Sequence, residues 1–516
     1  MRPVTFLSLL FLLFHSASFS KSRYESSSRA KIEILSNSRS GTAGIIKYYD
    51  YWNDQTNSSA LYVFFKQGSR SVPIVSISLE NFNFSAVLSS DKSGFFVVPN
   101  KNTESQTCID FRISFQDSEA DILPHCLEMV YIPQGKFYLG DPKSFEYRNS
   151  KSTSRGSLGA PLNAFFKSGI NGTFDGTYIV DSEKEILIGE CDGCLNYQDA
   201  EIPGVNTYSG DKKGVLPKKF PKGFSSFYQM RYELTEQQYC NFLNSLSPSQ
   251  AARRIDINDT FQGGTRRDYG NFITFNEGKF VTTRPNQACS FISWNDCLAY
   301  ADWAGLRIMT ELEFEKSSRG PVKPKFREYS WGGSEIENQF FLDKNLFPLG
   351  EGDFYVDGNI HVNYLGFNNY KDVCGDRGSD PDYGGCRNLS SKMTYRGPLQ
   401  TGIHAKEKSV LNRVTTGSGY YGTLDLSGNV REPVIPVGNS YSRQYEGTVG
   451  DGILSEEGKS NSVDWHYASG TDLVFGYRGG SWSYHENHGR IADRFCVYRK
   501  GVDIRTPYSG FRGVKD

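Results

Sequence analysis

Regular helix is signalled at only three places in this 516-residue chain, so nearly everything else must be built from short strands, turns and loops. Each place pairs a Ser or Thr with an acid or amide three residues on: Thr235 with Gln238, Ser293 with Asp296, and Thr310 with Glu313. In such a box the two side chains satisfy each other's backbone N–H groups, and a helix can start without stranded donors. Tyr239, Phe242, Leu243 and Leu246 give the first helix one apolar face, and Leu298, Tyr300, Ala301 and Trp303 do the same for the second. Gly305 is placed to end the second helix in a left-handed cap, and Gly320 can close the third before Pro321. With 52 glycines and 14% aromatics, the chain fits a loop-rich α+β protein filled by packed rings; a coiled coil or a disordered chain is excluded.

Lys and Arg number 57 against 58 Asp and Glu, a formal charge of -1. The chain lacks the basic excess that holds a protein on phosphates, so no nucleic-acid partner is expected. Residues 1–20 place Arg2 before the apolar run from Phe6 to Phe14, with Ser18 and Ser20 at the spacing that signal peptidase reads. A cleaved signal peptide is expected, with the mature chain starting near Lys21 and a secreted, periplasmic or cell-envelope location. That run is too short to cross a bilayer and no later stretch is long and apolar enough, so no membrane span is expected. Ten cysteines in an exported chain point to disulfides. Cys108 with Cys126 and Cys374 with Cys386 are local candidates. The CDGC at Cys191 and Cys194 is expected to be a plain disulfide, ahead of half a zinc site or a redox dithiol. Sequons at Asn57, Asn83, Asn171, Asn258 and Asn388 matter only if the source glycosylates them.

From 21 to 125 short alternating or apolar runs recur between polar turns, which predicts a small β-sandwich of immunoglobulin-like size. A second unit is expected over 126–516, opening on MVYIPQGKFYLGD, where two strand-like runs flank the turn from Pro133 to Gly135. Polar stretches near 142–220 and 335–415 are expected as insertions on its surface.

The segments MVYIPQGKFYLGD (129–141), RYELTEQQYCNFLNSL (231–246), SWNDCLAYADWAGLRIMTELEFEKSSRG (293–320), YSWGG (329–333), LDLSGNVRE (424–432), RGGSW (478–482) and GFRGV (510–514) follow one another in an order that resembles the formylglycine-generating enzymes, or sulfatase-modifying factors. The long inserts look like those of large exported members from Bacteroidota. The resemblance implies a domain with little regular structure, related in topology to C-type lectins and shared by several functional classes. The enzymes oxidise a sulfatase cysteine to formylglycine with oxygen and a copper ion held by two cysteines, whose soft thiolates suit Cu(I). Aligned from Gly479 to Arg512, those cysteines fall on Tyr484 and Gly489. Cys496 is the one sulfur in that interval and cannot supply a two-sulfur site, so copper and formylglycine formation are not expected. Where the family commonly reads G-N-V-W-E-W, this chain reads Gly428, Asn429, Val430, Arg431, Glu432 and Pro433. Asn429 and Glu432 remain, and the resemblance makes them candidate ligands of a structural calcium; both could instead cap backbone groups.

The replaced pocket reads SYHENHGR. Tyr484, His485, Asn487, His488, Tyr498, Arg499, Arg505 and Tyr508 are candidate ligand-contacting residues, expected to be exposed between the two rigid motifs. His485 and His488 could share a divalent ion only across a turn, since residues three apart on a strand point to opposite faces. The function expected is an extracytoplasmic binding or assembly module for an unknown protein or glycan ligand at the cell envelope. The alternative is a metal-dependent oxidoreductase using non-haem iron or copper. Arg307, Trp331, Arg478, Trp482 and Arg512 read differently: tryptophan filling volume, and arginine paired with carboxylates such as Glu311 or Glu315. Trp482→Ala is accordingly expected to cost about 3–5 kcal/mol and to lower the melting temperature; an unchanged melting temperature would remove Trp482 from the scaffold.

Overall fold

The computed structural model describes residues 24–25, 30–38, 41–48, 59–81, 83–100, 107–115, 121–142, 177–189, 191–195, 211, 213–335, 338–339, 357–358, 397–405, 412–465, 475–483, 486–494 and 504–516. Residues 1–20, with the signal-peptide pattern, and Cys374 and Cys386 lie outside them. The described part is mixed, with short helices among many strands.

Two sheets dominate. The first runs in the order Tyr24–Glu25, Ala30–Ser38, Gly41–Tyr48, Thr107–Phe115, Ile74–Leu79. The second runs Arg307–Ile308, Gly513–Lys515, Phe227–Met230, Leu123–Ile132, Ser59–Gln67, Gly94–Pro99, Phe84–Leu88, with Arg70–Ser71 paired to Ser59–Gln67. Strand Ser59–Gln67 is buried along almost its whole length, and its period of two explains why. Leu61, Val63 and Phe65 enter one core with Ile46, Phe111 and Ile113 of the first sheet. Ala60, Tyr62 and Phe64 enter the other with Tyr239, Phe242, Tyr300 and Trp303. Gly94–Pro99 divides in the same way, Phe95 and Val97 to one side and Phe96 to the other. The second sheet is thus a wall between two cores. Positions 125 and 126, where the sequence pattern changes, lie inside the strand Leu123–Ile132, with His125 opposite Phe64 and Cys126 opposite Val63.

All three expected capping boxes form, opening α1 (Glu236–Ser245), α3 (Trp294–Trp303) and α4 (Glu311–Arg319). A fourth, Ser247 with Gln250, starts the short α2 (Pro248–Arg254); its few apolar residues gave no periodic signal. Gly305 sits at φ 65° and Gly320 at φ 70°, both in the positive region that favours glycine. The expected bridge between Cys108 and Cys126 does not form. Cys108 is exposed on the first sheet and Cys126 is buried on the second, with no disulfide between them.

Two buried lysines stitch the N-terminal strands to the rest of the chain. The Lys66 Nζ donates to Ser71 Oγ at 2.8 Å and to the Gly452 carbonyl at 3.3 Å. Burial pushes it down to about 7, against the pull of Asp302 and Asp451. The Lys515 Nζ donates to Asp91 Oδ2 at 2.8 Å and to the Gly305 carbonyl at 2.6 Å.

Helix α4 is buried at every residue, and its acids take the arginines of distant segments. Glu311 Oε2 meets Arg478 at 3.1 Å and Arg494 at 2.7 Å. Glu315 meets Arg478 at 3.0 Å, Arg319 at 2.9 Å, and Arg494. Arg319 also pairs with Glu328 and donates to the carbonyls of Tyr138 at 2.7 Å and Gly140 at 2.8 Å. Glu313 takes Arg307 in a two-pronged contact at 2.8 and 3.0 Å. Burial pushes the Glu315 carboxyl up, but Arg494, Arg478 and Arg319 together outweigh it and hold it at about 2. Its contribution to stability is therefore present above its ordinary value of 4.5 and is lost as pH falls through about 2.

Asp141, at the edge of this network, behaves oppositely. Burial pushes its carboxyl up to about 7, although the Arg327 N–H and the Arg319 charge favour ionisation. An acid held above its unfolded value stabilises the fold while protonated; that stability is present below 3.8 and lost as pH rises through about 7. Oδ2 accepts from the Arg327 N–H at 2.8 Å, and Oδ1 is buried with no hydrogen-bond partner. Asp141→Asn keeps the acceptor and removes the titration. In urea unfolding the variant is expected to exceed the natural protein at pH 8 by on the order of 3 kcal/mol and to match it near pH 4. A difference that does not change with pH would show that Asp141 is not held neutral by its surroundings.

Candidate functional site

Short strands Glu432–Val434 and Gly476–Arg478 pair in register, Glu432 opposite Arg478, and bring LDLSGNVRE against RGGSW. Beyond the pairing the backbone is tightly folded. Asp425, Gly428 and Asn429 have φ of 60°, 98° and 55°, and Gly479 and Gly480 of 87° and 69°. The Gly428 N–H donates to the Gly479 carbonyl at 2.7 Å, and the Trp482 N–H to the Asn429 carbonyl at 2.8 Å. Trp482 Nε1 donates to the Pro507 carbonyl at 3.0 Å, closing the motif onto the C-terminal segment. A 3-10 turn, Glu486–Gly489, then sits over Ser427, whose Oγ donates to the Gly489 carbonyl at 2.7 Å. His488 Nδ1 lies 3.2 Å from Asp493 Oδ1.

Beneath this turn the polar groups are committed to one another. Asn429 Nδ2 donates to Glu233 Oε2 at 2.5 Å, and its Oδ1 accepts from the Leu399 N–H at 2.9 Å. Glu233 Oε1 accepts from the Val430 N–H at 3.0 Å. Burial, with Asp425 beside it, pushes the Glu233 carboxyl well above its usual range. Glu432 Oε1 accepts from Arg512 Nε at 2.7 Å, while Arg512 also donates to the carbonyls of Met230 and Leu424. Arg431 lies between two tyrosine rings, 3.9 Å from the centroid of Tyr477 and 4.6 Å from that of Tyr508.

Part of the chain is similar to known proteins. Residues 198–371 match the model of the sulfatase-modifying factor enzyme 1-like domain. Residues 198–371 are thus a sulfatase-modifying-factor-like region. It is 46% identical over 97 residues to a formylglycine-generating enzyme of Thermomonospora curvata, covering 18% of this chain and 31% of that protein. It is 28% identical over 127 residues to the formylglycine-generating enzyme of Bos taurus, covering 21% and 33%. A third relative, 40% identical over 60 residues and covering 12% and 19%, is the inactive C-alpha-formylglycine-generating enzyme 2 of Bos taurus. The chain thus spans a third or less of the length of these relatives.

Gly489, on which the resemblance would place one copper thiolate, lies outside the matched residues 198–371 and has no side chain to offer. Its carbonyl is used by Ser427. Cys240, Cys289 and Cys297 are buried in the main core instead, and burial pushes all three thiols up. The described residues therefore do not fit a two-thiolate copper site. Calcium at Asn429 and Glu432 fits no better. Both Asn429 side-chain heavy atoms and Glu432 Oε1 are engaged, which leaves only Glu432 Oε2 without a hydrogen bond. A hard cation needs several converging oxygens, and among the described residues no group of three or more His, Cys, Asp or Glu is placed to hold a metal.

Of the candidate ligand-contacting residues, Tyr484, His485, Tyr498 and Arg499 lie outside the described residues, and Asn487 is described in its backbone alone. His488 is on the turn with its side chain 12% exposed. The expectation of exposure is corrected for two others. Arg505 is drawn inward by Asp296, at 2.8 and 3.0 Å, and Tyr508 is only 7% exposed, packed edge-on against Phe261 as well as over Arg431. Sequence reasoning missed Glu233 and the Arg431 stack; the first lay inside the RYELTEQQY motif, and the second had no pattern, because its two rings are far apart in sequence.

The two glycines at the heart of the site differ. A Cβ on Gly480 would lie 2.8 Å from the Gly489 nitrogen, at a φ that side chains avoid, whereas one on Gly489 would meet nothing nearer than 3.5 Å. Gly480→Ala is expected to lose about 1–2 kcal/mol or more in urea unfolding, and Gly489→Ala to stay within about 0.5 kcal/mol. Equal losses would mean that the turn does not pack on Gly480.

Proposed function

We propose that this is an exported protein whose sulfatase-modifying-factor domain does not form formylglycine and serves as an extracytoplasmic binding or assembly module for a protein or glycan ligand at the cell envelope. The observation that carries the proposal is Gly489: where the family resemblance calls for a copper thiolate, the chain has a backbone turn whose carbonyl is fixed by Ser427. A relative named as inactive is compatible with a domain of this kind kept without the chemistry. Export rests on the signal-peptide pattern of residues 1–20; among the described residues no helix is long and apolar enough to cross a membrane. In this proposal the N-terminal strands form a β-sandwich that offers a second contact surface, and the sulfatase-modifying-factor domain has the C-type-lectin-related topology that exposes variable loops for recognition. His488 and the segments around it supply the contacts. Calcium at Asn429 and Glu432 remains part of the proposal only as an ion that first displaces one of the hydrogen bonds these side chains make.

The test is metal and product analysis of the mature protein. Titrated with Cu(I) against a chromogenic chelator and supplied with oxygen and a sulfatase peptide containing the target cysteine, it is expected to retain no stoichiometric copper and to yield no aldehyde. Calcium is counted in the same samples; a calcium held at Asn429 and Glu432 is expected to make chelation lower the melting temperature, and an unchanged melting temperature would remove it from the proposal. Stoichiometric iron or copper that disappears in a His485→Ala/His488→Ala variant would overturn the proposal in favour of a metal-dependent oxidoreductase.

A further inference from the structure

The CDGC turn carries chemistry that neither the scaffold nor the candidate site uses. Cys191 and Cys194 form a disulfide with a Cα–Cα distance of 5.2 Å across a separation of three residues. So short a loop removes little freedom from the unfolded chain, since the gain from a cross-link grows with the loop it closes. Nor is the bond needed to shape the turn. The Cys194 N–H already donates to the Cys191 carbonyl at 3.1 Å, the Leu195 N–H to the Leu187 carbonyl at 2.8 Å, and the Gly189 N–H to the Leu195 carbonyl at 3.0 Å. Leu195 is fully buried in the main core with Ile186, Ile188 and Leu216. Gly193, at φ 76° with nothing within 4 Å of where a Cβ would be, lets the chain reverse between the sulfurs.

The two cysteines are unequal. Cys191, Asp192 and Gly193 are exposed, whereas Cys194 is 2% exposed and sits beside Leu195. Exchange at a disulfide requires one sulfur that an external thiolate can reach in line with the S–S bond, and a second that is screened from the same attack yet stays within reach of the first. The turn sets an exposed Cys191 beside a buried Cys194. We infer that Cys191–Cys194 is a thiol-exchange site for external thiols, with Cys191 as the sulfur that is attacked and Cys194 as the one that resolves. An external thiolate attacks Cys191 Sγ, the Cys191–Cys194 bond breaks, and Cys194 leaves as a thiolate that takes up a proton. A second external thiol then attacks the external sulfur and releases Cys191. Two external thiols become one disulfide, and the protein pair takes up the two electrons and two protons.

The experiment uses the full mature chain in a Cys108→Ser background, because Cys108 is also exposed. Folded protein is equilibrated in reduced and oxidised glutathione of varied ratio, quenched with an alkylating reagent, and mapped by peptide mass. Cys191 and Cys194 are expected to titrate together in one two-electron step while the melting transition persists. In Cys194→Ser, a glutathione adduct is expected to accumulate on Cys191 at least tenfold over the unsubstituted pair; in Cys191→Ser, no adduct is expected on Cys194 while the fold holds. Reduction only where the protein unfolds, or equal adducts at both positions in folded protein, would overturn the inference and leave a structural bond. Circular dichroism on each variant separates loss of exchange from loss of fold.

Discussion

Five of the nine residues of α4 are charged, and all nine are buried. A helix of that composition can be taken out of water only if every charge meets a partner, because an unpaired buried charge costs several kcal/mol. Glu311, Glu313, Glu315 and Arg319 meet opposite charges, and the Lys316 Nζ donates to the carbonyls of Phe224 and Ser225 at 3.2 Å each. Around Glu311, Glu315 and Glu328 the charges balance as three carboxylates against Arg319, Arg478 and Arg494. Such a network adds less stability than an apolar core of the same volume, yet breaking one member costs about 3–5 kcal/mol. Its effect is to specify. Loops without periodicity or long ladders have little else to fix their positions, and here 137–140, 328, 432–437, 476–478 and 490–494 are each held by a side chain of α4, by one of its partners or by a backbone group that such a side chain binds.

The second constraint is the shared sheet. Because Ser59–Gln67 and Gly94–Pro99 send alternate side chains into opposite cores, the N-terminal strands form one wall of the core that contains α1 and α3. Phe64 lies edge-on to Trp303 at 5.5 Å, and Lys66 rests 5.2 Å above the same ring. Whatever surface the five-stranded sheet presents is therefore carried rigidly with the sulfatase-modifying-factor domain.

Legibility in the sequence followed the range of the interactions. The capping boxes at Thr235, Ser293 and Thr310 are local chemistry, complete within four residues, and each opens the helix expected of it. The pairing of Arg478 with Glu311 and Glu315 could be anticipated because a buried arginine has few other places to go. Arg307 takes Glu313 instead, and Arg512 takes Glu432; the residue type predicted a carboxylate but not which one. Tyr508 and Arg505 looked exposed because polar, amphipathic residues in a loop usually are. Their burial depends on Arg431 and Asp296, far off in sequence, and no periodicity announces such partners. The continuity of Leu123–Ile132 from one core to the next was hidden for the opposite reason: a strand buried on both faces looks alike at either end.

The same distinction bears on function. The residues of RGGSW, LDLSGNVRE and GFRGV that carry the resemblance are those with ion pairs or a special backbone shape: Arg478 on Glu311, Gly480 under the turn, Asn429 on Glu233, Arg512 on Glu432. Position 489 contributes only a backbone carbonyl to that scaffold, and a side chain added there would meet ordinary contacts. Its side chain is free to be present or absent without moving the network. Matching motifs therefore report that the scaffold is intact, because destabilisation by several kcal/mol would follow their loss. They are silent on the chemistry of the turn they support, which is decided by side chains that the fold does not need.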